Sequence, residues 1–163
     1  MTPKELIRLH MAKFGEIPNG IICRHAERPH LDRHTKYQGL TQNGLLDAFN
    51  IGTQIPGDWN LYSSPVERCV QTAIALSWGI KFAGGKSNYI SAEGWLGGDL
   101  LYLNHNAAMD IVFSKKLWDY MPDWKAGKLN AFADFEKFYL ELCKKIFPIL
   151  SEGRAIFVSH DIN

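Results

Sequence analysis

Short, wholly apolar runs alternate along this chain with longer stretches in which apolar residues recur every three or four positions. Ile21-Ile22-Cys23, Leu61-Tyr62-Ser63 and Ala155 to Ser159 are the short runs, and each predicts a buried strand. Helical spacing appears from Thr41, at Leu45, Ala48, Phe49 and Gly52. It returns at Phe135, Tyr139, Leu142, Ile146 and Ile149, which predict a long helix with Pro148 near its end. Thr2 to Phe14 reads as an opening helix, stopped by Gly15 and the Pro18-Asn19-Gly20 turn. Ser64-Pro65-Val66-Glu67 predicts a further helix start, with Ser64 as cap, Pro65 at the first position and Glu67 completing a capping box. Arg68 then falls in the first turn of a helix running towards Gly79. Residues 80–100 are rich in glycine and predict one or two strands with loops, and 104–128 predict a mostly helical insertion.

Helices interleaved with short apolar strands predict an α/β fold, a three-layer sandwich with a mainly parallel central sheet flanked by helices. At 163 residues the chain fits a single domain, 1–163, with the insertion at about 104–128. In parallel sheets the site lies beyond the carboxyl ends of the strands. Arg24-His25 and His160-Asp161 both occupy that position, so two distant segments deliver the same residue types to one edge.

Charge adds a restriction. The net charge of +1 gives no general attraction to nucleic acid or an anionic membrane, so anion binding must come from local clusters. No run approaches the length of a membrane span, and the first residues carry no signal-peptide core. Cys23, Cys69 and Cys143 are odd in number and lack metal-ligand spacing, which predicts reduced thiols and a cytoplasmic location. His25, His30, Asp32 and His34 do not form a rigid ligand set, so no metal and no cofactor are expected.

A phosphate ester needs fixed cationic donors around its oxygens, a nucleophile in line with the leaving oxygen, and an acid to protonate that oxygen. Arginine suits the first task because its planar fork matches phosphate oxygens, and a helix N-terminus adds backbone donors. Arg68 fits that description. A lone strand-end histidine is ordinarily hydrogen-bonded to the backbone and means little. His25 gains weight from Arg24, Arg28, Arg68 and His160 together. Lys115 and Lys116 read as a solvated helix face, and Trp78, Trp95, Trp118, Trp124 and Phe132 read as core.

These residues resemble the histidine phosphatases, the phosphoglycerate mutase-like superfamily. Arg24-His25-Ala26-Glu27-Arg28 is similar to the family's Arg-His-Gly signature, with Ala26 in the usual glycine place. Leu40-Thr41-x-x-Gly44, Ser63-Ser64-Pro65-x-x-Arg68-x-x-Gln71-Thr72-Ala73 and Val158-Ser159-His160-Asp161 resemble the family's later motifs, in the family's order. The resemblance implies a phosphoglycerate mutase-like fold and a metal-independent phosphatase acting on a small phosphate ester through a phosphohistidine on His25. It implies that Arg24, Arg28, Arg68 and His160 hold the phosphoryl oxygens. For the proton donor it offers Asp161, as in the acid-phosphatase branch, or Glu93, as in the mutase-like branch, with Asp161 favoured. The Arg-His-Ala-Glu-Arg string also resembles bacterial phosphatases of lipopolysaccharide-core heptose phosphate. The family builds specificity from insertions, which makes 104–128 a candidate lid. It normally continues past its second histidine with a helix and a strand, whereas this chain stops at Asn163. Either the sequence is truncated or its sheet is smaller, lacking that last helix and strand. Two further functions follow the same residues: a phosphomutase, and a non-catalytic member that binds a phosphorylated ligand.

Overall fold

The computed structural model describes residues 12–13, 18–29, 39–114 and 117–160. Most of the predicted opening helix, His30, Asp32, His34, Lys115, Lys116 and Asp161 lie outside these residues. The described chain runs β1 (Gly20–Arg24), α1 (Gln42–Gly52), β2 (Trp59–Ser63), α2 (Glu67–Phe82), β3 (Ser87–Ala92), a 3-10 turn (Gly94–Leu96), α3 (His105–Ser114), α4 (Leu117–Lys125), α5 (Phe135–Glu152) and β4 (Ala155–Ser159).

The four strands form one sheet in the order β1-β4-β2-β3, and every pairing is parallel. The architecture is therefore α/β, as the apolar pattern predicts. Because β4 has neighbours on both sides, Ala155, Ile156, Phe157 and Val158 are all essentially inaccessible to water. This explains their unbroken apolar run. Edge strand β1 alternates instead, and leaves Ile22 65% exposed.

On one face of the sheet, Trp59 and Leu61 of β2 and Ile156 and Val158 of β4 pack with Cys69, Ala73, Leu76 and Ile80 of α2. On the other, Tyr62 stacks on Phe157 at 5.6 Å and Trp95 covers the same ring at 5.9 Å. Helix α1 starts at its cap Thr41, whose side chain accepts from the Gly44 amide. Its buried face is Gly44, Ala48 and Gly52, whereas Leu45, expected on the apolar face, is exposed. The reason is close approach: a Cβ at Gly52 would strike the carbonyl of Leu76, and one at Gly79 would strike that of Phe49. Small residues let the two helices cross at backbone distance, and larger apolar ones are turned outwards.

Two other expectations need correction. Helix α2 begins at Glu67 with Val66 as cap and no side-chain capping bond, and it runs past Gly79 to Phe82. Glu67 accepts from Gln71 rather than closing a capping box. Trp78 and Trp118 are exposed, while Trp124 and Phe132 are core. Helix α5 forms where the spacing predicts it, with Phe135, Leu142, Ile146 and Ile149 of its stripe half-buried and Tyr139 exposed.

The chain divides into two compact units, one holding the sheet (residues up to Gly97 with Ile149–His160) and the other gathering Gly98–Pro148. The second has its own core of Leu101, Ala108, Val112, Tyr120, Trp124 and Phe132. Within it Trp124 donates its indole N–H to the Ala133 carbonyl at 2.7 Å. No described helix is long and apolar enough to cross a membrane.

Candidate active site

Each strand of the sheet hands the chain to a polar residue at the same edge. His25 follows β1, Ser64 follows β2, Glu93 follows β3 and His160 follows β4. Main-chain hydrogen bonds hold these exits in register: His25 N–H donates to the Ser159 carbonyl at 3.0 Å, Ser64 N–H to Val158 at 2.8 Å, and Glu93 N–H to Ser63 at 2.6 Å. An edge built this way has little freedom, because each exit is tied to the neighbouring strand.

The imidazoles of His25 and His160 meet there, with ring centroids 6.1 Å apart and planes at 65°. His25 is buried, and its Nδ1 lies 2.7 Å from the carbonyl of Ala26. A carbonyl only accepts, so Nδ1 carries the proton and Nε2 carries the lone pair. The Ala26 amide donates to Thr72 Oγ1 at 2.9 Å, and that hydroxyl donates to the Arg68 carbonyl at 2.7 Å. Thr72 thus joins the turn after β1 to the first turn of α2. Further along, Thr41 N–H donates to the Glu27 carbonyl, and a Cβ at Gly44 would collide with the same group.

Arg68 lies in the first turn of α2. One of its terminal nitrogens donates to His160 Nδ1 at 3.0 Å, while its Nε–H is buried with no partner among the described residues. The other ring nitrogen of His160, Nε2, is 2.6 Å from Ser64 Oγ. The Cys69 thiol sits against the same ring, 3.6 Å from Nδ1, and burial pushes it up to about 11. Arg24 ends β1 on an exposed position, and Arg28 follows three residues after His25.

Electrostatics follow from this crowding. Burial lowers the pKa of His25, the bond to Ala26 opposes that, and the charges of Arg68, Arg24 and Arg28 lower it further. His160 falls to about 4, through burial first and then the charges of Arg68, His25 and Arg28. Both rings are neutral near pH 7. Arg68 is itself lowered, mainly by burial, with Arg28 and Arg24 adding to the effect. Several cations that repel one another around two neutral imidazoles make a strong attractor for a multiply charged anion.

Glu93 also reaches this edge, and both of its oxygens are engaged. Ser91 Oγ donates to Oε1 at 2.5 Å and Trp95 Nε1 donates to Oε2 at 2.8 Å. Among the described residues no three His, Cys, Asp or Glu side chains group as metal ligands. Cys23, Cys69 and Cys143 are free thiols. Of the residues named from the sequence, His25, His160 and Arg68 come together directly, with Arg24 and Arg28 within electrostatic reach of His25. Asp161 is outside the described residues. Sequence reasoning missed the hydroxyl of Ser64 as a partner of His160, and Thr72 as a link to Ala26.

No protein-family model and no curated protein sequence matches the chain. Among solved structures it is similar to a candidate phosphohistidine phosphatase, SixA, from Agrobacterium tumefaciens, at 19% identity and a TM-score of 0.41. That similarity covers 90% of this chain and 71% of the other. The chain's own geometry therefore carries the functional case.

Proposed function

We propose that this protein is a metal-independent phosphatase of the histidine phosphatase kind, hydrolysing a phosphomonoester through a phosphohistidine on His25. The observation that carries the reading is the state of that ring. Nδ1–H is anchored on the Ala26 carbonyl at 2.7 Å, and burial with nearby guanidinium groups keeps the imidazole neutral. A neutral, oriented Nε2 is what attack on phosphorus requires.

In the first step the Nε2 lone pair bonds to phosphorus and the P–O ester bond breaks. The leaving oxygen takes a proton from an acid. Water then attacks phosphorus, the P–N bond breaks, and inorganic phosphate departs while the same carboxylate recovers its proton. Arg68, Arg24 and Arg28 stabilise the charge spread over the phosphoryl oxygens, with His160 beside them. The buried Nε–H of Arg68, without a partner among the described residues, supports this role, since a buried donor without an acceptor is costly unless a ligand supplies one. Glu93 has both oxygens occupied as acceptors, so we assign the proton donor to Asp161.

The test uses an aryl phosphate in the presence of a chelator. The wild type is expected to release phosphate and, after a rapid alkaline quench, to carry an acid-labile phosphoryl label. His25→Ala should lower turnover by at least about a thousandfold and abolish the label. Undiminished hydrolysis by His25→Ala would remove the proposal.

A further inference from the structure

His160 is held at both nitrogens, and the two partners are chemically unequal. Arg68 is a donor only, so at 3.0 Å it requires an unprotonated Nδ1. A neutral imidazole has one N–H, which must then sit on Nε2 and point at Ser64 Oγ, 2.6 Å away. Ser64 is itself fully buried and fixed: its N–H donates to the Val158 carbonyl, and its Oγ also accepts from the Val66 amide at 3.3 Å. The acceptor is therefore part of the sheet edge and not a mobile surface hydroxyl. The low proton affinity of His160 agrees with a neutral ring.

We propose that Ser64 is a positioning residue for phosphoryl transfer: it holds His160 as the Nε2–H tautomer, with Nδ1 presented to Arg68, and thereby aims the Arg68 guanidinium at the phosphoryl group. The inference rests on reading this edge as a phosphoryl-transfer site. The order of action is serine, then histidine, then arginine. Ser64 fixes the ring, the ring accepts from one terminal nitrogen of Arg68, and the remaining donors of Arg68, Nε–H among them, stay directed to the anion. Without the hydroxyl, the Nε2–H is left, among the described residues, with only the Cys69 sulfur at 3.8 Å, a weak acceptor. The ring then turns or exchanges its proton between nitrogens, and Arg68 loses its anchor. Misplacing a charged donor by an ångström is enough to slow a reaction severely without unfolding anything.

The experiment reads the ring directly. In nitrogen-15 spectra of the unliganded wild type, His160 should show one fixed tautomer, with a pyrrole-type Nε2 and a pyridine-type Nδ1. In Ser64→Ala those two signals should move towards averaged values, kcat on the aryl phosphate should fall roughly ten- to a hundredfold, and KM should change far less. Ser64→Thr keeps the hydroxyl and should restore the tautomer signature. Should the added methyl unfold that variant, the wild-type spectrum still decides, because a proton on Nδ1 or an averaged ring in the wild type overturns the proposal outright. So does a Ser64→Ala protein with unchanged ring signals and unchanged kcat. The spectra need no turnover. A locked ring released by Ser64→Ala, in a protein that hydrolyses no ester, would sink the phosphatase reading and leave the tautomer assignment standing.

Discussion

Burial lowers the proton affinity of both imidazoles at the sheet edge, and the guanidinium groups around them act in the same direction. For His160 this has a consequence for stability as well as chemistry. The unfolded chain binds a proton there near pH 6.5, whereas the folded chain does so only near 4. Between those values the unfolded state holds more protons, so this group withdraws stability as pH falls through that window and withdraws no more below it. The melting temperature of the wild type should therefore drop more steeply from pH 6.5 to 4 than that of His160→Gln. Equal slopes would show that the ring is not held neutral. The residue scale also shows where local reading of a sequence stops. Ser64 looks like a helix cap because capping is a short-range pattern. Its hydroxyl does accept weakly from the Val66 amide, but its shorter bond is to a histidine 96 positions away, a partner that no local rule points to. Thr72 escapes in the same way, since its link to Ala26 spans 46 positions.

At the scale of elements, what was legible and what was not divide by the same principle. β1, β2 and β4 could be read because an apolar run that ends abruptly in polar residues marks both a buried strand and its exit. Arg24-His25 and Ser159-His160 inherit their place from that. The face of α1 could not be read from large apolar residues, because its buried positions are Gly44, Ala48 and Gly52, with Gly52 against the α2 backbone and Gly44 against Glu27, while Leu45 points outwards. That crossing invites a direct test. Gly79→Ala would gain helix propensity of about 1 kcal/mol, yet its methyl has no room beside the Phe49 carbonyl. Overpacking of this kind typically costs about 1–3 kcal/mol, so a net loss of stability is expected in urea titrations. A more stable Gly79→Ala protein would mean that the helices do not cross so closely.

For the molecule as a whole, the sheet and the residues Gly98–Pro148 each carry a separate apolar core. Protection should be greatest where strands have neighbours on both sides and no access to water. The amides of Ile156, Phe157 and Val158 should accordingly be among the slowest to exchange with deuterium, and those of edge strand β3 faster. Equal exchange across the four strands would contradict the pairing order. That order also governs how the chain reaches its folded state during synthesis. β1 and β2 are never paired with each other; β4 lies between them, and Gly20 waits for Ala155, some 135 positions later. An emerging chain can join β2 to β3 early, but β1 stays unsatisfied until β4 has been made. His25 therefore stays out of place until His160 is made, which ties the onset of its chemistry to the arrival of a strand more than a hundred residues downstream.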